Sequence, residues 1–147
     1  MIMDKKQMSE EDIKLRYITP AITAKWPLHR ITMETKITDG RISLRGNMAH
    51  RESPKRADYI LYMRDNKPLA VVEAKDNKHS VSQGLQQAMT YAQMLDLPFA
   101  YSSNGDAFME HDFLTGLERQ LALEDFPSEA ELEARYRAYA NHGQGVS

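Results

Sequence analysis

The sequence predicts an α/β fold in which a central mixed β-sheet is flanked by helices. Two apolar segments, 57–64 and 69–75, flank turn residues at 65–68, which is typical of an antiparallel hairpin. Residues 80–95 carry apolar side chains at helical spacing, and a buried strand is predicted at 98–102. A helix between two buried strands predicts a parallel crossover, so the sheet is expected to be mixed with helices on both faces.

The N-terminal elements follow from local signals. Residues 1–8 are polar and predict a flexible N-terminus. Ser9 is suited to cap a helix because three acids follow it at the positive end of the helix dipole. Pro20 predicts a kink in this helix. A strand is expected at 31–38, before an Asp-Gly turn.

The C-terminal half is predicted in the same way. Ser80 or Ser82 is expected to cap the crossover helix, and Ser128 the final helix. Between these helices, a strand is predicted at 107–111. Residues 141–147 are expected to form a frayed tail.

Composition narrows the possible functions. The 147 residues predict one domain, 9–140, and a net charge of −2 argues against a protein that coats DNA. The absence of cysteine excludes disulfides and thiolate metal sites, as expected in the cytoplasm. No segment has the length or composition of a membrane span or a signal peptide. The histidines have no metal-ligand spacing, and no nucleotide-binding glycine motif is present.

The hairpin brings charged residues together. Pairing about the turn places Asp58 opposite Lys75 and Ile60 opposite Glu73. Because side chains alternate along a strand, Asp58, Glu73 and Lys75 are predicted to project from the same face. Charges in a buried strand are rarely tolerated without partners or a function.

Two acids and a lysine at one place suit a metal-dependent phosphodiesterase. Mg²⁺ prefers oxygen ligands, which Asp58, Glu73 and the backbone carbonyl of Ala74 can supply. Lys75 would hold the attacking water and offset the charge that develops on the phosphate. The alternative is that Glu73 and Lys75 form an ordinary solvated ion pair in a small enzyme or structural domain.

These motifs resemble the PD-(D/E)xK nuclease superfamily, in the branch with a Q-x-x-x-Y helix after the catalytic strand. The wider pattern, from about Ser9 to Ser128, resembles the N-terminal endonuclease domain of the restriction (R) subunit of type I restriction enzymes. The residues that carry it are Ala57-Asp58-Tyr59-Ile60-Leu61, Glu73-Ala74-Lys75, Gln83-Gly84-Leu85-Gln86-Gln87-Ala88, Tyr91-Ala92 and Ser103-Asn104-Gly105-Asp106. The resemblance implies a restriction-endonuclease-like fold.

The resemblance also implies roles for single residues. Asp58 and Glu73 are expected to bind the metal, and Lys75 to be the catalytic lysine. Gln87 and Tyr91 are expected to lie beside the scissile phosphate.

Two further positions are compared with the family. The family often has an acid in its first helix, and Glu11 is chosen for that role over Glu10 and Asp12. The proline that gives the superfamily its name is replaced here by Ala57.

The function that the resemblance implies is Mg²⁺-dependent hydrolysis of DNA phosphodiester bonds, as in a type I site-specific deoxyribonuclease. Its partners would be double-stranded DNA and, through a full R subunit, the methylation and specificity subunits, with no membrane. ATP would be used only in motor domains that this chain lacks, so the chain is expected to be an isolated domain or a fragment. The alternative is a catalytically silent nuclease-like fold that serves DNA binding or complex assembly.

The segment before Asp58 is rich in cations. Residues 40–55 read either as a surface loop or as a lip that contacts phosphates. The cations in and beside it are Arg41, Arg45, His50, Arg51, Lys55 and Arg56.

Overall fold

The fold is a single mixed β-sheet with helices on both faces. The computed structural model describes residues 4–38, 41–43 and 55–145. The strands are β1 (Ile31–Thr38), β2 (Arg41–Ser43), β3 (Lys55–Met63), β4 (Lys67–Ala74), β5 (Phe99–Ser103), β6 (Ala107–Asp112) and β7 (Glu118–Ala122). Their order across the sheet is β2-β1-β3-β4-β5-β6-β7, and β4 and β5 are parallel to each other.

Helical segments precede, interrupt and follow the sheet. They are α1 (Glu10–Ile13), a π-helical segment (Lys14–Ile18), α2 (Thr19–Thr23), α3 (Leu85–Leu95) and α4 (Glu129–Gly145). Short 3₁₀ turns lie at Lys5–Gln7, Leu28–Arg30, Arg64–Asn66 and Leu123–Asp125. Within the described ranges, no helix combines the length and apolarity needed to cross a membrane.

Each face of the sheet has its own hydrophobic core. One core joins the N-terminal helices and α4 to the sheet through Ile13, Ile18, Ile22, Leu132, Tyr59, Leu61, Val72 and Tyr101. The other joins α3 to the opposite face through Ala88, Tyr91, Ala92, Ile60, Val71 and Ala100. The predicted α/β class, with a mixed sheet between helices, is therefore confirmed.

The N-terminal helix begins where the sequence predicts. Ser9 accepts a hydrogen bond from the Asp12 N–H, and the Asp12 side chain accepts one from the Ser9 N–H, forming a capping box. The π-helical segment ends directly before α2, and Pro20 lies in the first turn of α2. This segment is the irregularity expected at that proline. Residues 4–8, the described part of the segment that we expected to be flexible, instead pack. Met8 is buried, and Lys5 Nζ lies 2.8 Å from Asp106 Oδ1.

The hairpin forms, but its predicted register is wrong. Tyr59 pairs with Val72 and Ile60 with Val71, so Ile60 does not face Glu73 and Asp58 does not face Lys75. The chain turns earlier than predicted, through a 3₁₀ turn at Arg64–Asn66 that contains left-handed residues. From Tyr59 to Leu61 the pairing is shifted by two residues, which leaves Asp58 and Glu73 on their predicted face. A bulge between Leu61 and Tyr62 shifts the pairing by one further residue toward the turn.

The crossover helix starts later than predicted. The helix α3 begins at Leu85 with Gly84 at its N-cap, and neither Ser80 nor Ser82 caps it. The parallel pairing of β4 with β5, which the crossover predicted, is present.

The C-terminal region has one strand that we did not predict and a longer helix. The strand β7 adds an edge beyond β6. Ser128 Oγ accepts a hydrogen bond from the Glu131 N–H, as expected of a cap. The helix α4 continues to Gly145, where a tail was expected from residue 141.

Candidate active site

The two predicted metal-binding acids are neighbours across β3 and β4. Continuing the pairing of Tyr59 with Val72 places Asp58 directly across from Glu73. The Asp58 N–H donates to Glu73 Oε2 over 2.8 Å, and the Ala74 N–H donates to Asp58 Oδ2 over 2.7 Å. Each carboxylate is thus anchored by a backbone N–H from the opposite strand, so the strands themselves set the spacing of the two acids.

Both carboxylates are poorly hydrated, and the pKa of each is raised as a result. Burial, followed by the negative charge of Asp58, raises the pKa of Glu73 to about 8. Burial also raises the pKa of Asp58, and the neighbouring Glu34 carboxylate adds to this shift. The bond from the Ala74 N–H and the charge of Lys14 act in the opposite direction on the pKa of Asp58. Two buried acids that resist joint ionisation form a site where a cation would be stabilised.

Lys75 lies on the same face as Glu73. A Cβ placed on Gly84 would lie 3.5 Å from Lys75 Cγ and 3.6 Å from Glu73 Cβ, so both side chains emerge beneath the start of α3. Lys75 is partly exposed, and its ammonium forms no ion pair with any residue in the described part of the chain. The structure therefore brings the three predicted residues to one face, with the lysine at the solvent side.

Of the two residues predicted on helix α3, Tyr91 is buried near the acids and Gln87 is exposed at the rim. Tyr91 is buried, and burial together with the charges of Glu73 and Asp58 raises the pKa of its phenol. Gln87 lies one turn earlier and is exposed. Tyr91 therefore lies within electrostatic range of the acids, whereas Gln87 is available at the rim.

A buried lysine that was not predicted from the sequence belongs to this cluster. The Lys14 side chain is 2% exposed, and its ammonium lies 3.5 Å from Asp58 Oδ1. It also lies 3.1 Å from Glu34 Oε2 and 3.2 Å from Glu11 Oε1. Although burial alone would lower the pKa of Lys14, the charges of Asp58 and Glu34 raise it. No sequence signal marks Lys14, because its contacts with Glu34 and Asp58 join segments that are distant in the chain.

Glu34 was also missed. Continuing the pairing of Met33 with Tyr59 places Glu34 across from Asp58, and its backbone is left-handed with φ 52°. A glutamate rarely adopts this conformation, which costs about 1–3 kcal/mol and clusters at functional sites. No sequence signal marks Glu34, because its position depends on how β1 pairs with β3.

The first helix places two acids differently. Glu11, our choice for a site role, is 78% exposed and reaches Asp58 only through Lys14. Glu10 is half-buried; burial and then the charge of Asp58 raise its pKa, which the charges of Lys14 and Lys75 partly offset. Glu10 is therefore in closer electrostatic contact with the acid pair than Glu11 is.

The donor set fits a hard divalent cation. In the described ranges, no group of three or more His, Cys, Asp or Glu side chains is arranged to hold a metal ion. Mg²⁺ does not need such a group, since one or two carboxylates suffice when water and substrate phosphate complete its shell. The pair of Asp58 and Glu73 meets that requirement with oxygen donors alone.

The cation-rich segment before Asp58 is described only in part. Arg41–Ser43 forms the edge strand β2, and Lys55 and Arg56 are exposed at the start of β3. Residues 44–54 of the segment expected to be either a surface loop or a lip that contacts phosphates lie outside the described residues, and they include Arg45, His50 and Arg51.

Comparison with known proteins gives one consistent result. A family model for the type I restriction enzyme R protein N terminus matches residues 21–127. The chain is also 41% identical over 143 residues to the type I restriction enzyme EcoAI endonuclease subunit of Escherichia coli. That alignment covers 93% of this chain and 18% of the relative, so the chain spans about a fifth of the curated relative's length.

A solved structure agrees with these sequence matches. It is described as a fragment of an HsdR subunit of a type I restriction enzyme from Vibrio vulnificus. The TM-score is 0.76 at 41% identity, and the match covers 90% of this chain and 26% of that one. Sequence and fold therefore point to the same family.

Proposed function

Because this chain belongs to the family of type I restriction enzyme R protein N termini, we propose that it is the Mg²⁺-dependent endonuclease domain of such a subunit. It would hydrolyse the phosphodiester bonds of DNA. The observation that carries this proposal is the buried pair of Asp58 and Glu73, with Lys75 on the same face. A surface ion pair of Glu73 with Lys75 is not present among the described contacts, which removes support for the ordinary structural reading.

The metal would be held by Asp58, Glu73 and the backbone carbonyl of Ala74. The N–H and C=O of a strand residue point to the same side, and the Ala74 N–H already points to Asp58. When bound, the metal would polarise the scissile phosphate and make a water molecule easier to deprotonate. It would also offset the repulsion that raises the pKa of Glu73.

The remaining side chains would act on water and phosphate. Lys75, partly exposed above Glu73, would hold the attacking water and stabilise the negative charge that develops on the phosphate. Tyr91 keeps its phenolic proton at neutral pH, since its pKa is raised, and could donate it in a hydrogen bond to a phosphate oxygen. Gln87 could contribute a neutral donor at the rim.

The wider assignment rests on the family. Motor domains in the rest of an R subunit would use ATP and move DNA, and the methylation and specificity subunits would complete the complex. Recognition of a DNA sequence would lie outside this domain, which would cut without a base preference of its own.

A metal-binding measurement tests the site directly. Isothermal titration of the 147-residue chain with Mn²⁺ should show binding that Asp58→Asn or Glu73→Gln removes. Lys67→Gln, a change at the far end of β4, should leave it intact. An unaltered Mn²⁺ affinity in the Asp58 and Glu73 variants would refute the site, and no binding by the parent chain would favour a catalytically silent fold.

Cleavage tests the function. In a full restriction complex, Asp58→Ala, Glu73→Ala or Lys75→Ala should reduce DNA cleavage by at least about a hundredfold while ATP hydrolysis continues. Gln87→Ala or Tyr91→Phe should reduce it less, because these groups are neutral. Cleavage that persists at the parent rate in all three variants of the first set would contradict the proposal.

A further inference from the structure

A polar cleft of about 490 Å³ lies beside the candidate active site. It is lined on one side by the segment that follows Lys75 and on the other by β6 and β7. We propose that this cleft binds the sugar–phosphate backbone of the DNA strand a few nucleotides from the bond that is cut. The inference rests on the proposed function and adds to it the surface that holds the substrate.

The cleft lies along a row of paired residues that begins at the active-site acid Glu73. Register pairs Glu73 with Ser102, Ser102 with Met109 and Met109 with Gln120, so these side chains share one face of the sheet. Met109 and Gln120 line the cleft. Because neighbouring strands are about 4.8 Å apart, Met109 lies about 10 Å from Glu73 along this row. A DNA strand advances about 3.4 Å per nucleotide along its axis, so this distance is a few nucleotides.

The walls of the cleft join it to the catalytic residues. Ser102 Oγ donates a hydrogen bond to the carbonyl of Val81, which lines the cleft. The same Ser102 oxygen lies 3.4 Å from a Cβ placed on Gly84, whose other close neighbours are Lys75 and Glu73. Ser102 and Gly84 therefore connect the cleft to the acids.

The charge of the lining suits phosphate. The ten lining residues include Lys6 and Lys78 and contain no acid. Neither lysine forms an ion pair with an acid in the described parts of the chain. The acids that Lys78 and Lys6 attract, Asp76 and Asp106, are already engaged, since Asp76 accepts from the Lys78 N–H and contacts His79, and Asp106 pairs with Lys5. Exposed Ser80, Ser82 and Gln120 add neutral donors of the kind that contact phosphates.

The floor of the cleft is held in place before any ligand arrives. Buried Asn77 donates to the Asn104 carbonyl over 2.9 Å, and Asn104 donates to the His79 carbonyl over 2.7 Å. Lys6 Nζ donates to the Asn77 carbonyl over 3.3 Å. A loop fixed in this way loses little conformational entropy on binding, which favours a preformed site.

Binding to DNA of unrelated sequence tests the cleft. The probe is a short fluorescein-labelled duplex, and the readout is fluorescence anisotropy without divalent metal over a range of KCl concentrations. The 147-residue chain is compared with a Lys6→Gln/Lys78→Gln variant and with a charge-matched Lys25→Gln/Lys67→Gln control. Both control lysines are exposed and do not line the cleft.

The cleft variant should bind DNA at least about tenfold more weakly, and its slope of log K against log salt should fall by about 1.8, for two phosphate contacts. The control should keep the parent affinity. Equal losses in both variants, no loss in the cleft variant, or no DNA binding by the parent chain would each overturn the proposal. Mn²⁺ binding should be unchanged in the cleft variant, so a failure of the cleft proposal can be distinguished from a failure of the proposed metal site.

A second measurement locates the DNA without relying on affinity. The chain has no cysteine, so Ser80→Cys gives a single position for a photo-crosslinker. Crosslinking to the duplex is expected at Ser80→Cys and not at Thr115→Cys, which is exposed in the connection after β6. Crosslinking only from Thr115→Cys, or from neither position, would contradict the cleft as the DNA site.

Discussion

At the scale of single residues, the site is a balance of buried charges. Asp58 and Glu73 are held by backbone N–H groups, and Lys14 lies among three carboxylates. Buried charges cost free energy unless they are paired, so each charge in this cluster depends on its partners. Two predictions test the contributions of Glu73 and Lys14 to stability separately.

The raised pKa of Glu73 predicts how stability depends on pH. Folding raises this pKa from its ordinary value of 4.5 to about 8, so the folded state binds more protons than the unfolded state between those values. Stability should therefore be greatest below about pH 4.5 for this group and fall as pH rises to about 8. Thermal unfolding of the metal-free chain should show this decline, and Glu73→Gln should reduce it. A variant with the same decline as the parent would contradict the pKa shift.

Removing the buried ammonium should destabilise the fold. Lys14→Met leaves the carboxylates of Asp58 and Glu34 facing each other, so the free energy of unfolding should drop by about 1–3 kcal/mol. Glu11→Gln removes an exposed partner of the same lysine and should cost less than about 0.5 kcal/mol. Urea denaturation measures both, and equal effects would show that Lys14 is not a buried counter-ion.

At the scale of elements, the site draws on three segments of the chain. Asp58 comes from within β3, Glu73 from the end of β4, Lys75 from the residue after β4, and Lys14 from the start of the π-helical segment. The start of α3 lies over this point, since a Cβ on Gly84 would be in van der Waals contact with Ser102, Lys75 and Glu73. A turn at 103–106 holds the N-terminal helix next to it, since Gly105 packs against Ile13 and Tyr17.

That turn should be sensitive to a single methyl group. Gly105 has φ +90°, and a Cβ there would lie 2.9 Å from Cγ2 of the buried Ile13. Gly116 has a similar φ of +78° and nothing within 4 Å. Gly105→Ala should therefore lower the free energy of unfolding by about 1–3 kcal/mol more than Gly116→Ala, which carries the backbone strain alone. Similar values for the two variants would mean that the helix yields to the methyl group.

At the scale of the whole molecule, α4 closes the core opposite α3. Leu132 is fully buried there, and Arg135 connects the helix to the sheet. Arg135 donates to both carboxylate oxygens of Glu110 and, over 2.6 Å, to Asp112. Tyr101 also donates to Glu110, over 2.6 Å. A fully buried glutamate thus depends on a residue of the last helix.

This connection predicts a large effect from one substitution. Arg135→Met should destabilise the fold by about 3 kcal/mol, because Glu110 keeps its charge in a buried place with fewer partners. Arg137→Met, which removes an exposed partner of Glu133, should cost less than about 1 kcal/mol. Chemical denaturation of both variants checks the difference, and a mild Arg135→Met variant would show that α4 docks by apolar packing alone.

The sequence by itself determined the fold class, the family and the face of the sheet on which Asp58, Glu73 and Lys75 lie. These follow from local patterns: the alternation of side chains in a strand survives a register error of two residues, and helix spacing places α3 on one side. Glu34 and Lys14 could not be found in this way, and neither could the greater burial of Glu10 than of Glu11.

Only the tertiary structure shows where those residues lie, because their positions depend on which strands pair and in what register. The left-handed residues of the hairpin turn shifted that register, and the β1–β3 pairing brought Glu34 to Asp58. The row from Glu73 to Gln120, and with it the cleft, joins β4 to β5, which lie on either side of the crossover helix, and continues to β6 and β7. Contacts between distant segments leave no periodic pattern in a sequence, since the alternation of side chains along a strand does not depend on which strand it pairs with.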